Sequence, residues 1–379
     1  MTQFKLKTLL KILLQRRSAF TLIELLVTIS LVAIIAVAST LSLSGYRGEQ
    51  NLKRTLDEIS SVIQDAQKRA ITQQDGLQWG VHFQNSSSIH AYEMFEGASY
   101  AVGTSTNHYG LPRGIQFSNP FSSSTYDAIF TGITGNLSGK KVISFITGRR
   151  DNFVGDIILN TLGKATPRFD SGLIGYWHLD EGTGTSTYDA SGSGNTGTLT
   201  NNPTWQTSTN CEADGCLSFD GVNQYVSASG VPNLTSALTV EAWAKTPIVQ
   251  DATYDTIVSK FSSGPYNGWF LRRNANSSVV YFTLYDNGTA TASITGPTIV
   301  ANQWTHYAAT FDGTIARIYV NGVLSASDLS ASIGSATTNF VISGNYGSTE
   351  NWNGSIDEVR IYNRALSATE ILNQYNDLK

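Results

Sequence analysis

The sequence predicts a multidomain protein: a long N-terminal α-helix, then a small α+β domain, then an all-β sandwich of jelly-roll type. Three observations predict this order. Residues 20–43 are almost entirely apolar, and apolar residues continue at helical spacing beyond them. After residue 75, apolar and polar residues alternate as in β-strands. Short strands separated by Asx-Gly turns fill residues 173–379. A chain of 379 residues is long enough for two or three domains.

Charge is distributed unevenly along the chain. Only 14% of the residues are charged, against about 25% in typical globular proteins. Five basic residues precede the first acidic one, Glu24, and without them the chain has 20 basic and 29 acidic residues, a net charge of −9. A basic segment before an apolar run predicts a cytoplasmic start and an external body. An acidic body argues against nucleic-acid binding.

The first 70 residues predict one helix with two different halves. Residues 20–43 would span about 36 Å at 1.5 Å per residue, which is enough to cross a hydrocarbon core of about 30 Å with some tilt. Beyond Gly48 the apolar residues recur at helical spacing, at Leu52, Leu56, Ile59, Ile63, Ala66 and Ala70. We therefore expect a membrane-spanning half followed by an amphipathic half that packs on a domain.

Glu24 lies within the apolar run, where a carboxylate at mid-membrane would cost about 2.5–3.5 kcal/mol. A simple signal anchor has no use for it, nor has a secretory signal peptide cleaved after the small-x-small run 36–38. In a third interpretation, cleavage after Ala19 makes Phe20 the new N-terminus. Its protonated α-amine can pair with Glu24 of a neighbouring copy and so fix the axial register between subunits.

The stretch "SAFTLIELLVTISLVAIIAVAS" (18–39) resembles the processing site and assembly helix of type IV prepilins and type II secretion pseudopilins. The resemblance implies cleavage by a prepilin peptidase between Ala19 and Phe20, N-methylation of Phe20, and an assembly role for Glu24 with other pilin subunits. Two departures put the efficiency of processing in doubt: the family usually has Gly where Ala19 stands, and the leader, residues 1–19, is long.

Residues 44–167 predict the rest of the helix and a small head domain. "LQWGVHF", "SIHAYEMF" and "GDIILNTLGK" are typical of strands, and the block resembles the heads of GspH/FimT-type minor pseudopilins. Some relatives bind DNA; the local basic candidates are Lys140, Lys141, Arg149 and Arg150, which equally suit a solvated hairpin. Residues 168–172 are predicted to be a linker.

Residues 173–379 contain motifs such as "CLSFDGVNQYVSAS", "WTHYAATFDG" and "GSIDEVRIYNRALSATEI". Together they resemble a LamG-like jelly roll of the concanavalin A-like superfamily, which implies two packed antiparallel sheets that bind glycans or proteins outside cells. The run 367–370, "SATE", predicts a capping box at the start of a short helix.

Cys211 and Cys216, in "CEADGC", flank an Asp-Gly turn, so a local disulfide is geometrically reasonable and indicates an oxidising compartment. Half of a zinc site is the alternative, although the chain has no further cysteine.

A calcium site is a second candidate. The glycine-rich loop "LDEGTGTSTYDASGSGNTG" carries oxygen ligands of the kind Ca²⁺ prefers. The LamG resemblance implies a structural Ca²⁺ held by this loop and the "IDEV" strand, with candidate ligands Asp180, Glu181, Asp189, Asn195 and Asp357. The alternative is that Asp and Asn simply favour turns.

Aromatic residues near loops are the candidate glycan-binding platforms: Trp205, Tyr266, Trp269, Tyr346 and Trp352. Trp243 and Trp304, in alternating strands, are assigned to the core. Glycosidases need two carboxylates facing each other across the substrate. Asp357 and Glu358 are adjacent on a predicted strand and should point to opposite faces, so we expect no catalysis.

These observations predict a minor pilin or pseudopilin-type subunit of a type IV pilus or type II secretion-like filament. It would be held in the cytoplasmic membrane by one helix and would display a LamG-like domain for adhesion at the cell surface. Two alternatives stay open: an anchored or secreted lectin-like protein that does not polymerise, and a secretion-machine component that binds no glycan.

Overall fold

The computed structural model describes residues 22–86, 90–120, 124–147, 153–329, 331–345 and 350–379. The chain forms two compact units, Met1–Gln50 and Asn51–Lys379. Ala19, Phe20 and Tyr346 lie outside the described residues, as does the side chain of Glu24.

Helix α1 runs from Leu22 to Ile71. Its predicted amphipathic face is confirmed, because the six apolar residues at helical spacing from Leu52 to Ala70 are all at most 2% exposed. No helix among the described residues is both long and apolar enough to qualify as a membrane span.

The head contains two four-stranded antiparallel sheets. The first has the order β3-β2-β1-β5 and the second, here called the junction sheet, has the order β4-β6-β7-β8. Their strands are β1 (Trp79–Asn85), β2 (His90–Glu96), β3 (Thr104–Gly110), β4 (Ile115–Asn119), β5 (Ser124–Phe130), β6 (Lys141–Thr147), β7 (Val154–Leu159) and β8 (Ala165–Asp170).

The junction sheet is covered on both faces. Ile143, Phe145 and Ile157 belong to the apolar core formed with α1. The alternate residues Val142 and Ile158 belong instead to a cluster with residues of the C-terminal domain. All six residues of β7 are consequently buried, Asp156 among them, as expected for a strand that is covered on both faces.

The C-terminal domain is a sandwich of two eight-stranded sheets. The near sheet, which contacts the junction sheet, has the order β12-β13-β24-β15-β20-β21-β22, with β9 pairing β24. The far sheet has the order β10-β11-β14-β23-β16-β17-β18-β19.

The near-sheet strands are β9 (Leu173–Trp177), β12 (Thr204–Thr207), β13 (Gly215–Asp220), β15 (Leu238–Lys245), β20 (Thr305–Phe311), β21 (Ile315–Val320), β22 (Val323–Leu329) and β24 (Asn353–Tyr362). The far-sheet strands are β10 (Ser186–Thr187), β11 (Gly197–Thr200), β14 (Tyr225–Ala228), β16 (Asp255–Ser263), β17 (Tyr266–Arg273), β18 (Val279–Asp286), β19 (Thr289–Thr298) and β23 (Phe340–Ile342). Apolar side chains from both sheets form one shared core, as the prediction of two packed antiparallel sheets requires.

Local sequence signals account for the turns and for the last helix. Asn287-Gly288 and Asn321-Gly322 have positive φ at both residues, the conformation of the tight turns that suit hairpins. Helix α2 (Ala368–Leu378) begins with the predicted capping box, in which the Ser367 and Glu370 side chains each bond the other's backbone N–H.

The predicted linker 168–172 is corrected by the structure. Residues up to Asp170 belong to β8, and β9 begins at Leu173, so only Ser171 and Gly172 connect the head to the sandwich. Gly172 has φ +79°, and a Cβ there would lie 2.8 Å from the side chain of Asn363. The head and the sandwich are therefore joined by a tight turn and lie in one compact unit, Asn51–Lys379.

Candidate functional site

Buried ion pairs lie within the junction sheet, and a longer pair reaches from it to the C-terminal domain. Arg168 on β8 lies 2.6 Å from Asp156 on β7, 3.0 Å from Asp170 and 3.7 Å from Asp377 on α2. Asp156 is completely buried and Asp170 is 6% exposed. Because both carboxylates are removed from water, their pairing with one guanidinium is needed to offset the cost of burying them.

A second chain of polar contacts crosses the same junction. Ser144 Oγ lies 3.0 Å from His178 Nε2, and His178 Nδ1 lies 2.8 Å from Glu358 Oε1. The order serine, histidine, carboxylate is that of a hydrolytic triad, but Ser144 is fully buried and its hydroxyl donates to Asp156 at 2.7 Å. These contacts are those of a structural network that joins the head to β9 and β24.

Several carboxyl groups at or near the junction titrate abnormally. Burial raises the pKa of Asp170 to about 6, and of Glu181 and Asp214 to about 7. Glu358 behaves differently: burial opposes its ionisation, but the charges of His178 and Arg360 hold its pKa at about 2. The first three groups therefore keep their protons to a higher pH than ordinary carboxyl groups do, whereas Glu358 stays ionised.

We expect the unit 51–379 to become less stable as the pH rises from about 4 to about 7. Asp170, Glu181 and Asp214 have folded-state pKa values above their unfolded ones, so their stabilising contribution is complete below the unfolded values and is lost as the pH rises through about 6 to 7. Thermal unfolding at pH 5 and pH 7.5 measures this. Asp214→Asn should flatten the dependence, and a melting temperature that rises over this interval would contradict the assignment.

The predicted calcium ligands serve mainly in protein hydrogen bonds. Asp189 accepts from the backbone N–H groups of Tyr176, Ser191 and Asn195, at 2.8–3.0 Å. The Asn195 amide donates to Ile174 O at 2.7 Å. Both side chains thus hold the shape of their loop, as the alternative interpretation expected.

The other three predicted ligands also have protein partners. Asp180 accepts from Asn119, Glu181 from the backbone of Tyr188, and Asp357 Oδ2 from two backbone N–H groups. Within the described part of the chain, no group of three or more His, Cys, Asp or Glu residues is arranged to hold a metal ion. The calcium site stays a prediction, without geometric support here.

Two of the predicted glycan platforms are buried, which corrects those predictions. Trp352 is 1% exposed and its Nε1 donates to Lys245 O at 3.2 Å; Trp269 is 2% exposed within the sandwich core. Trp205 is half-buried, and Tyr266, 48% exposed, stacks on Phe261. Proximity to a loop in the sequence did not indicate exposure, because Trp352 packs into the shared core of the sandwich.

Regular strand alternation, which would place Asp357 and Glu358 on opposite faces of β24, fails at this point. Glu358 has φ +51°, and the pairing of β24 with β15 shifts register here. This β-bulge leaves both carboxyl groups buried, so the two residues are not a simple pair on opposite faces of a strand.

The structure reveals a pocket that the sequence analysis missed, here called the aromatic pocket, with a volume of about 200 Å³. Its lining comprises three aromatic rings, one carboxylate, two amides and one ammonium group: Trp243, Trp304, Tyr375, Glu212, Gln303, Asn321 and Lys379. The rings of Trp243 and Tyr375 stack with centroids 5.6 Å apart. Trp304 was wrongly assigned to the core; its place directly before β20, after the polar run 302–303, was the available signal of a rim position.

The predicted disulfide is confirmed between Cys211 and Cys216. It closes the short loop that brings Glu212 into the aromatic pocket. The residue directly before this loop, Asn210, accepts through its backbone oxygen from Trp304 Nε1 at 3.2 Å and from Lys245 Nζ at 2.7 Å. The crosslink therefore constrains the segment that forms one wall of the pocket.

Comparison with family models assigns both ends of the chain. Residues 14–40 match the prokaryotic N-terminal methylation motif, and residues 220–372 match the concanavalin A-like lectin/glucanases superfamily. The chain joins a type IV prepilin N-terminus to a concanavalin A-like domain. The methylation motif implies a prepilin anchored in a membrane. No curated protein matches the chain.

Solved structures similar to the C-terminal part are distant. The binding domain of Paraclostridial Mosquitocidal Protein 1 is 16% identical, with 54% of this chain and 52% of that one covered and a TM-score of 0.46. Domain 4 of AbnA, a GH43 extracellular arabinanase from Geobacillus stearothermophilus solved with arabinotriose, is 18% identical, with 53% and 97% covered and a TM-score of 0.40.

The botulinum neurotoxin serotype D ligand binding domain, solved with N-acetylneuraminic acid, is 19% identical, with 54% and 50% covered and a TM-score of 0.43. This chain thus spans about half the length of both toxin domains. With TM-scores below 0.5, these likenesses carry no argument about function.

Proposed function

We propose that the protein is a minor subunit of a type IV pilus or type II secretion-like filament, and that its concanavalin A-like domain binds extracellular glycans or proteins. The observation that carries the proposal is the buried junction. The methylation motif leads into α1, the second half of α1 contributes to the core of the head, and the head is joined to the sandwich by ion pairs and a two-residue turn. The proposed binding domain is thereby held to the head within the unit 51–379.

A minor position in the filament follows from size and attachment. The sandwich adds about 200 residues to the head. The tight turn at Ser171 and Gly172 is not a flexible linker, so the sandwich cannot move away from the head to make room for neighbouring subunits. Regular packing of such subunits along a shaft would be crowded. Immunogold labelling should find the protein sparsely or at filament tips, and even labelling along the shaft would contradict this position.

The mature N-terminus distinguishes the proposal from its non-polymerising alternatives. Mass spectrometry of protein from native membranes should find methylated Phe20. An N-terminus at Ser39 would indicate signal-peptide cleavage and a secreted protein. An intact leader would indicate an anchored lectin-like protein. Either result would overturn the pilin assignment.

Glu24→Gln should reduce incorporation into filaments by more than about tenfold. Removing one partner of a buried carboxylate–amine pair destabilises the assembly by about 3–5 kcal/mol, and about 1.4 kcal/mol corresponds to a factor of ten. The subunit is quantified in sheared filament fractions and by crosslinking to neighbouring subunits. Asp57→Asn, which removes one negative charge from an exposed position on the same helix, is the matched control. Equal incorporation of both variants would remove the assembly role of Glu24.

A role as a secretion-machine component is the remaining alternative. It shares the processing and assembly steps, but its sandwich would contact only other subunits or cargo. Binding of any glycan by the unit 51–379 would favour adhesion over that alternative.

A further inference from the structure

We propose that the aromatic pocket binds a sugar residue that carries a carboxylate, such as a uronic acid within a polysaccharide. This inference rests on the proposed function, since it takes the concanavalin A-like domain as the displayed binding domain. It adds the location of the site and the chemical class of the ligand.

The size and walls of the pocket fit a single sugar ring. A volume of about 200 Å³ corresponds to about seven water molecules at about 30 Å³ each, which is smaller than pockets for drug-sized ligands. Trp304 is half-buried at the rim, and Tyr375 is half-buried on α2. Partly exposed rings of this kind offer flat apolar faces to the C–H groups of a sugar ring.

The pocket also offers hydrogen-bond donors that the protein leaves unused. Trp243 is 3% exposed, and its Nε1–H has no acceptor in the described part of the chain. A buried donor without a partner is costly, and a ligand hydroxyl would satisfy it. Asn321 accepts from His306 N through Oδ1, so its amide N–H groups remain available, and Gln303 is exposed at the rim.

Charge at the rim selects an anionic ligand. Lys245 Nζ lies 4.8 Å from the centre of the Trp304 ring, and Lys379 Nζ lies 5.5 Å from that of Tyr375. Burial lowers the pKa of Lys245, and the charges of Glu212 and Asp357 offset that shift only in part. A bound carboxylate would add a further counter-charge through charge-assisted hydrogen bonds.

The carboxylate already in the pocket does not reverse this preference. Glu212 is ion-paired with Lys140 of the head. A cationic ligand would be repelled by the two ammonium groups that lie over the rings, and a neutral sugar could not form ion-paired hydrogen bonds with them. The arrangement therefore favours an acidic sugar over both.

The test uses the soluble unit 51–379 with trigalacturonate and its neutral counterpart galactotriose, measured by isothermal titration calorimetry. We expect trigalacturonate to bind at least about tenfold more tightly than galactotriose, since a charged hydrogen bond contributes about 1.5–3 kcal/mol. Lys245→Gln and Trp304→Ala should each weaken trigalacturonate binding about tenfold. Lys68→Gln, at an exposed position on α1, removes the same charge elsewhere and should leave binding unchanged.

Gln303→Ala, at an exposed position, serves as a second pocket variant in case Trp304→Ala fails to fold, and we expect it to weaken binding measurably. A sulfated trisaccharide distinguishes a preference for carboxylates from one for anions in general. Equal affinity for the acidic and neutral sugars, binding that the pocket variants do not change, or no binding of trigalacturonate overturns this inference. The proposed filament role would stand in each case, because Phe20 methylation and the Glu24→Gln result test it separately.

Discussion

Arg168→Ala should lower the free energy of unfolding of the unit 51–379 by about 3–5 kcal/mol, the usual cost of removing one partner from a buried ion pair. Arg168 lies between Asp156 and Asp170, both buried. Without the guanidinium these carboxylates repel each other and have lost their main compensation for burial. Denaturant unfolding at pH 7 measures the change.

Arg317→Ala is the matched control for this experiment. Arg317 pairs with Asp312 at 2.8 Å, but both side chains are partly exposed, at 26% and 32%. Exposed pairs contribute about 0–1 kcal/mol, so this variant should remain close to the parent. If Arg168→Ala were no more destabilising than Arg317→Ala, the ion pairs of Arg168 would not be an important source of stability.

The isolated sandwich, residues 173–379, should melt at least about 10 °C below the unit 51–379, or should aggregate. The head supplies Lys140 and Lys141, which pair with Glu212 and Asp214, and its removal leaves these two acids unpaired. It also uncovers the apolar cluster around Trp243. For a domain of about 200 residues, each kcal/mol of lost unfolding free energy lowers the melting temperature by about 2–4 °C. A loss of several kcal/mol therefore accounts for the expected difference.

Size-exclusion chromatography followed by thermal unfolding measures this second effect. Urea unfolding of the unit 51–379 should also show one cooperative transition rather than two, because the head and the sandwich stabilise each other. An isolated sandwich that is monomeric and melts with the parent would mean that the two parts are independent domains after all.

Much of the fold follows from local sequence patterns. The spacing of Leu52, Leu56 and Ile59 identified the face of α1 that is buried, and Asn-Gly pairs identified hairpin turns. These signals are reliable because they depend on residues within a few positions of one another. The motif at residues 14–40 was equally local, and the family comparison confirms it.

The candidate site depends on contacts that local patterns do not contain. Strand alternation shows which side chains share a face of β15, but not that α2 and the head cover the face with Trp243. Trp304 was assigned to the core for the same reason, although it forms part of a pocket rim. The bulge at Glu358 has no sequence signal comparable to an Asx-Gly turn, so the alternation argument for Asp357 failed there.

Under the proposed function, the tight turn between β8 and β9 affects how long a displayed domain would persist outside the cell. Extracellular proteases cut most readily in exposed, flexible connections between domains. Here the chain passes from head to sandwich through Ser171 and Gly172 only. The carbonyl oxygen of Ser171 accepts from Arg364 Nε at 2.8 Å, and that of Gly172 accepts from the backbone N–H of Asn363 at 2.9 Å. The connection between the head and the sandwich therefore contains no flexible segment that a protease could bind. Cleavage between the two would require the junction itself to unfold first.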